Sequence, residues 1–317
     1  MDGLPEQAPS PWHAGEVAMQ RAVGMAGRME AVGRKVVRDH MPDQHREFFA
    51  QLPFVVLGAV DAAGDAWATL RAGRPGFMHA PHPRRLHVAL EPRPSDPAER
   101  GLVPGGAVGL LGIELHTRRR NRMNGTLSRD DTGWNVDVLQ SFGNCPQYIR
   151  LRDYAWVDEA PGAAVESAAP DASARALIAR ADSFYVASYV DLEPGRRQVD
   201  VSHRGGRPGF VRVDADGALT VPDFQGNMFF NTLGNFALNP RAGLVFVDFD
   251  TGGLLQMTGD AELLADTPEL AAFEGAERLW RFRPRRVVRR EGALPLRWAA
   301  RADLAPVNHA APAPVTK

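Results

Sequence analysis

The pentapeptide Gly-Arg-Pro-Gly-Phe occurs twice in the chain, at residues 73–77 and, 133 residues later, at 206–210. Glycine and proline are common in turns, so the pentapeptide alone would establish little. The elements predicted around the two copies, however, follow the same order. Each has a helix, paired strands, the pentapeptide, a strand, a connector, an apolar strand that contains a glycine, and a hairpin. This agreement predicts an internal duplication of one antiparallel β unit.

Hydrophobic periodicity and turn residues predict the elements of each half. The first half is expected to contain helices over Gly15–Val37 and Asp43–Gln51, strands at 85–90 and 107–115, and a hairpin at 125–138. The second half is expected to contain a helix at 172–181, a helical stretch at 226–239, a helix at 267–279 and a last strand near 281–290.

An acidic segment rich in Pro, Ala and Ser at 156–173 marks the boundary between the halves. The predicted organisation is an N-terminal helical segment at 1–50, a first half at 51–160, a second half at 161–304 and a flexible tail at 305–317. Many short strands joined by hairpins predict a mainly β fold, a β-barrel with peripheral helices, rather than a doubly wound sheet. Two such barrels in one chain are expected to pack as the subunits of a homodimer do, with a pseudo-two-fold interface suited to a cofactor.

Composition excludes several classes of protein. The net charge of −1 gives no general attraction to nucleic acid or to a membrane surface. No apolar run is long enough for a membrane span and no signal peptide is evident, so we expect a soluble cytoplasmic protein. The single cysteine, Cys145, excludes an internal disulfide and a cysteine-ligated cluster. The His79-x-x-His82 pair is surrounded by prolines, so a metal site is not expected there.

Common catalytic motifs are absent from the sequence. It contains no GxGxxG after a strand, no Walker lysine loop, no HExxH and no GxSxG. Cys145 has no His or Asp partner in a recognisable motif, so a catalytic thiol is not expected. The sequence therefore offers no recognisable catalytic triad or nucleophile motif.

Four polar segments are candidates for a binding site. The segment 116–125 clusters four arginines at the end of an apolar strand, which is typical either of a solvated basic edge or of anion recognition. In 222–235, polar groups surround Gly226 just before a helix, where a phosphate can bind the helix N-terminus or where an ordinary cap can lie. The other two segments are 198–210, whose polar residues follow a strand and lead into the Gly-rich turn, and the amide-rich stretch 140–148.

These segments together resemble the pyridoxamine-5′-phosphate-oxidase-like, FMN-binding split-barrel family. More narrowly, they look like duplicated members related to proteins fused to a ferredoxin-reductase module. The resemblance lies in "SPWHAGE", "GLLGIELHTRRRNRMNG", "QSFGNCPQYI", "DVSHRGGRPGFVRV", "PDFQGNMFFNTLGNFALNPRAGLVFVDF" and "EGALPLRW", which span most of residues 10–298. It implies two FMN-binding split barrels that form a pseudo-dimer, with the cofactor between them.

The resemblance also implies roles for individual residues. Asn239-Pro240 matches a family motif, and Asn231-Thr232 stands where relatives place a basic pair for the phosphate. Gln256 matches a strand position that faces the flavin, although the arginine that usually precedes it is missing. The predicted cofactor-binding residues are Ser202, His203, Arg204, Asp223, Gly226, Asn227, Asn231, Thr232, Gln256, Arg118, Arg119, Asn121 and Gln147.

The resemblance predicts an FMN-dependent oxidoreductase that acts on a small molecule, with no metal. Pyridoxamine phosphate oxidase activity itself is not expected, because only Arg297 and Trp298 resemble the basic substrate pocket. Alternatives are a non-enzymatic flavin or haem carrier, a stress-related binding protein, or a reductase that uses the deazaflavin F420. A separate flavin or ferredoxin reductase is a possible partner, and the chain is expected to be a monomeric pseudo-dimer or a homodimer.

Overall fold

A computed structural model describes residues 9–301 of the chain. The predicted tail at 305–317 and the first eight residues of the N-terminal segment lie outside this range. Within it, the helices are α1 (Ala14–Ala22), α2 (Ala26–Val36), α3 (Asp43–Gln51), α4 (Ala172–Arg180) and α5 (Asn231–Leu238), with 3-10 turns at Pro97–Arg100 and Pro268–Ala272.

The strands of the first half are β1 (Phe54–Val60), β2 (Ala66–Ala72), β3 (Met78–His82), β4 (Arg85–Val88), β5 (Ala107–Glu114), β6 (Arg119–Asp130) and β7 (Gly133–Gly143). Two short strands connect the halves, β8 (Arg152–Trp156) and β9 (Ala164–Ser167). The second half contains β10 (Ser183–Glu193), β11 (Arg196–Gly205), β12 (Arg212–Val213), β13 (Leu219–Phe224), β14 (Arg241–Asp248), β15 (Gly253–Leu264), β16 (Ala276–Arg290) and β17 (Leu296–Ala300).

The two large sheets have the same strand order. The first runs β2-β1-β5-β6-β7-β4-β3 and the second runs β11-β10-β14-β15-β16-β13-β12, so that each strand of the first half corresponds to the strand nine numbers later. All pairings within both sheets are antiparallel. The predicted mainly β fold is confirmed, and the shared order shows that the halves repeat one structural unit.

The repeated pentapeptide occupies the same place in both halves, between β2 and β3 and between β11 and β12. Its second glycine has a positive φ in each copy, 97° at Gly76 and 81° at Gly209. A Cβ on the first glycine would lie 2.4 Å from the ring of Phe77 in one copy and 2.6 Å from that of Phe210 in the other. Both phenylalanines are buried in the core of their own half. Turn geometry and the folded-back ring therefore explain the repeated letters.

The halves meet face to face through a third apolar cluster. It joins residues of β1, β2 and β5 to residues of β10, β11 and β14, for example Val56 and Leu70 with Tyr185 and Val245. A Cβ on Gly109 would lie 2.8 Å from the carbonyl oxygen of Val199, so the backbones approach closely here. The two sheets thus pack against each other across one interface, and the halves are not independent domains joined by a linker.

Three predicted helices differ in the structure. The stretch expected to be helical over 226–239 forms a helix only over Asn231–Leu238, because Met228 and Phe230 adopt positive φ just before it. The single helix expected over 15–37 is two helices, because Gly24 adopts a positive φ of 69° and ends α1. The helix expected over 267–279 was wrong. Only Pro268–Ala272 form a 3-10 turn, and Ala276 already belongs to β16, where it pairs with Phe224 of β13. Cross-strand pairing, which the local helical pattern does not report, decides that segment.

Candidate functional site

A cavity with a water-accessible volume of about 110 Å³ lies where the halves meet. The second half lines it with the end of β11, with the loop after β13 and with the first residues of α5. The first half contributes Arg120 and Arg122 of β6 and the segment 144–148. Both halves therefore build the site, as expected for a cleft in a pseudo-dimer.

The structure brings together most of the predicted site residues. The cavity is lined by Ser202, His203, Arg204, Asp223, Gly226, Asn227, Asn231, Thr232 and Gln147. The other four lie elsewhere. Gln256 is buried and donates to the carbonyl oxygen of Ala68. Arg118 donates to the carbonyl oxygen of Ile149, Arg119 lies over the ring of Phe48, and Asn121 pairs with Gly112 and Gly143.

Strand alternation explains why Arg120 and Arg122 line the cavity in place of Arg119 and Asn121. Successive side chains of a strand point to opposite faces. Met123 of β6 is buried in the core of the first half, so Arg120 and Arg122 share the face opposite to Met123. The apolar Met123 was therefore the signal in the sequence that shows which side chains of β6 face the core and which face the cavity.

Arg122 is the most deeply buried cation of the cavity. It forms a salt bridge with Asp200 at 3.3 Å, and it donates to Asn231 Oδ1 at 2.7 Å and to Ser202 Oγ at 2.6 Å. Thr232 Oγ1 in turn donates to Ser202 Oγ at 2.9 Å. These bonds fix the polar side chains at the start of α5, while Nε of Arg122 is buried without a partner among the described residues.

Arg120 differs from the other arginines of the cavity in its charge balance. Arg204 and Arg278 share the Asp223 carboxylate, at 3.1 and 3.0 Å. No carboxylate of residues 9–301 lies within salt-bridge distance of Arg120, whose polar contact is His203 Nδ1 at 3.4 Å. Burial, followed by the repulsion of Arg122, lowers the pKa of Arg120 to about 10, so it is still charged at neutral pH. A largely desolvated cation without an acid partner favours an anionic ligand.

His203 is neutral in this environment. Burial, and then the neighbouring arginines Arg120, Arg204 and Arg152, hold its pKa well below the ordinary value. Its uncharged ring can accept a hydrogen bond from Arg120 and adds no further positive charge to the cavity.

Unusual backbone geometry is concentrated around the cavity. Of the five non-glycine residues with positive φ within residues 9–301, three line it: Tyr148 at 64°, Met228 at 62° and Phe230 at 60°. Such conformations cost roughly 1–3 kcal/mol each and cluster at binding sites. Phe230 immediately precedes α5, and no side chain of the described residues caps that helix. Its first N–H groups are therefore available to an acceptor in the cavity.

Contacts between the halves close the edge of the cavity. Asn227 Nδ2 donates to Asn144 Oδ1 at 3.2 Å, and Tyr148 Oη donates to the carbonyl oxygen of Gln225 at 2.9 Å. The rings of Tyr148 and Phe224 stack with centroids 5.6 Å apart. These contacts hold the loop after β13 against the segment 144–148 of the first half.

A buried acid that the sequence analysis did not identify lies behind α5. Glu16 of α1 accepts hydrogen bonds from the Asn231 amide and, at 2.9 Å, from the backbone N–H of His13. Burial, and then the nearby Asp200, raise the pKa of Glu16 to about 8, so it carries its proton at neutral pH. Glu16 therefore adds no negative charge behind the site. Its signal was the His13-x-x-Glu16 capping box within "SPWHAGE".

No group of three or more His, Cys, Asp or Glu is placed to hold a metal ion within residues 9–301. The described part of the chain likewise includes no helix with the length and apolar character that a membrane crossing requires.

No family model and no curated protein matches the chain. Among solved structures, it is similar to a candidate pyridoxamine 5′-phosphate oxidase from Lactobacillus delbrueckii, with 19% identity and a TM-score of 0.27, over 33% of this chain and 95% of the other. It is also similar to a FAD-binding protein from Mycobacterium smegmatis, with 16% identity and a TM-score of 0.27, over 38% of this chain and 95% of the other. A FAD-binding protein from Mesorhizobium loti is similar with 14% identity and a TM-score of 0.28, over 40% of this chain and 97% of the other. These TM-scores are low, and the fold is defined by the strand order of the two sheets.

Proposed function

We propose that the chain is a flavoprotein that binds FMN in the cavity between its halves. The observation that carries this proposal is the charge of Arg120, which has no acid partner among the described residues and lines the same cavity as the uncapped start of α5. An uncompensated guanidinium together with free helical N–H groups suits a phosphate. The sequence resemblance supports FMN as the phosphate-bearing ligand.

The residues at the start of α5, together with Ser202 of β11 beside them, fit the phosphate best. Ser202, Asn231 and Thr232 are already held in place by Arg122 and by one another, so little ordering would accompany binding. Arg120 would supply the balancing charge. His203, Gln147 and the loop Asp223–Asn227 line the remainder of the cavity, where the ring system would lie. Gln256, expected to face the flavin, is buried and hydrogen-bonded to Ala68 instead, so it has no role in this assignment.

The bound flavin would exchange a hydride with a small molecule, while the chain would bind and orient it. These roles are consistent with a cavity whose acids, Asp223 and Glu277, are both paired with arginines. A separate flavin or ferredoxin reductase would supply electrons. FMN that stays oxidised with NADH or NADPH, even when a reductase is added, would indicate a carrier instead.

Vitamin B6 oxidation is not part of the proposal. Arg297 donates to the carbonyl oxygens of Leu294 and Leu296 and pairs with Glu159, and Trp298 packs edge-on against Phe54. Both residues belong to β17, which pairs with β8. Their contacts are those of structural residues, not of a pocket for a second phosphate.

Replacing Arg120 tests this assignment against a matched neighbour. Arg120→Met is expected to weaken FMN binding by roughly 10- to 100-fold, because a hydrogen bond to a charged group contributes about 1.5–3 kcal/mol. Arg119→Met removes the same charge one residue away, on the opposite face of β6, and should leave the FMN dissociation constant unchanged. Fluorescence titration with FMN measures both. Equal effects of the two substitutions would remove Arg120 from the site.

A further inference from the structure

The duplication places a counterpart of the cavity in the first half. Gly58 of β1 pairs with Ala68 and with Gly109, just as Ala187 of β10 pairs with Val201 and with Gly243. The same registers, continued along the strands, define the counterparts of three cavity residues. Thr69 corresponds to Ser202, Arg71 to Arg204, and Gln256, contributed across the interface by the other half, to Arg122.

In the first half this place is filled by a carboxylate of the chain itself. Asp96 accepts hydrogen bonds from Thr69 Oγ1 at 2.6 Å, from Gln256 Nε2 at 3.0 Å, from Arg290 Nη2 at 2.8 Å and from the backbone N–H of Ala98 at 3.1 Å. A hydroxyl, an amide, a guanidinium and a backbone N–H converge on it. These are the donor types that recognise a phosphate or a carboxylate.

The arginine of this place that corresponds to Arg204 is also paired with a carboxylate of the first half. Arg71, the counterpart of Arg204, is 1% exposed and pairs with Glu99 at 2.8 Å. Asp96 and Arg290 are similarly buried. In the second half the residue before α5 is Phe230, which has no carboxylate to offer, and Arg120 is left without an acid partner among the described residues.

We infer that the first half contains a latent oxyanion site, closed by the side chain of Asp96, so that each chain has one open site rather than two. The ligand class of the closed site is a small oxyanion, a carboxylate or a phosphate, because its donors are already satisfied by one. Only the identity of the ligand in the open site rests on the proposed function. The closed site stands on its own contacts.

The test removes the carboxylate and supplies it from solution. Asp96→Ala is expected to unfold at a lower temperature than wild type in sodium chloride, and to regain most of the loss in sodium formate of the same ionic strength. Wild type should respond equally to the two salts. Asp171→Ala, which removes the exposed carboxylate that caps α4, is the control and should show no preference for formate. An Asp96→Ala protein that gains no more from formate than the control does would overturn the inference.

A second variant tests the inference if Asp96→Ala does not fold. Glu99→Gln removes a partly exposed carboxylate and leaves Arg71 without its acid partner. Phosphate stabilises folded proteins in general, so the expected result is a gain in unfolding temperature from chloride to phosphate that is larger for Glu99→Gln than for wild type. No selective effect of phosphate would count against the latent site.

Stoichiometry separates this inference from the proposed function. Equilibrium dialysis of wild type against FMN is expected to give one FMN per chain. Two FMN per chain would overturn the closed site. If wild type binds no FMN, the proposed function fails, and the formate and phosphate experiments still decide whether Asp96 closes an oxyanion site.

Discussion

Arg122→Met is expected to abolish tight FMN binding and to lower the free energy of unfolding by about 3–5 kcal/mol. The substitution leaves Asp200 as a buried charge without its guanidinium partner, because Arg122 and Asp200 form a salt bridge at 3.3 Å away from solvent. It also removes the hydrogen-bond donor that holds Asn231, at the start of α5, and Ser202, beside it on β11. Stability and ligand affinity therefore fall together.

A second substitution separates the two effects. In Arg122→Met/Asp200→Asn the unpaired charge is gone, so part of the lost stability should return while FMN affinity stays low. Urea unfolding and FMN titration on the two proteins measure this. If the double variant regained FMN affinity along with stability, Arg122 would act only by supporting the fold.

Glu16→Gln is expected to flatten the pH dependence of stability above pH 6.5. The pKa of Glu16 is raised from 4.5 to about 8 in the folded protein, so the folded state binds more protons than the unfolded state across that window. Its contribution to stability is therefore complete below pH 4.5 and is lost as the pH rises through about 8. At about 1.36 kcal/mol per pH unit, the loss between pH 6.5 and 8 is on the order of 2 kcal/mol.

Two buried histidines, His13 beside Glu16 and His203 in the cavity, determine how stability depends on pH below pH 6.5. Asp200 raises the pKa of Glu16 and Arg122 opposes this effect, while burial lowers the pKa of His13, as it does for His203. Folding therefore excludes protons from both histidines, and their contribution is lost as the pH falls below 6.5. The maximum of stability is expected near pH 6.5.

Urea unfolding between pH 6.5 and 8 measures this slope. Glu30→Gln is the control, because Glu30 lies partly exposed on α2 and pairs with Arg34. It should keep the wild-type slope. A Glu16→Gln protein whose stability still falls across this range would show that another group carries the pH dependence.

The duplication could be predicted from the sequence because both copies solve the same local problem. In each copy one glycine adopts a positive φ, and the other leaves room for the phenylalanine ring that packs against it. The two copies therefore keep the same residues. The loop Asp223–Thr232 could be found for a similar reason, since its polar residues lie next to one another in the chain. What the sequence did not reveal depends on contacts across the fold.

Two residues illustrate that limit. Gln256 occupies the position equivalent to Arg122, but the partner it meets is Asp96, which is distant in the chain. No local pattern distinguishes the open half from the closed one. Glu16 reaches the site only because α1 packs on α5, where a Cβ on Gly15 would lie 2.0 Å from the carbonyl oxygen of Gly234. That approach joins residues more than two hundred positions apart.

The absorbance spectrum of the freshly purified protein, followed by heat release and mass identification of any bound ligand, tests the central claim most directly. The account predicts the visible bands of an oxidised flavin and a released molecule with the mass of FMN, or uptake of added FMN by protein purified without it. A different chromophore, such as F420 or haem, would keep the cavity but change its ligand. A colourless protein that takes up no added FMN would contradict the assignment of the site.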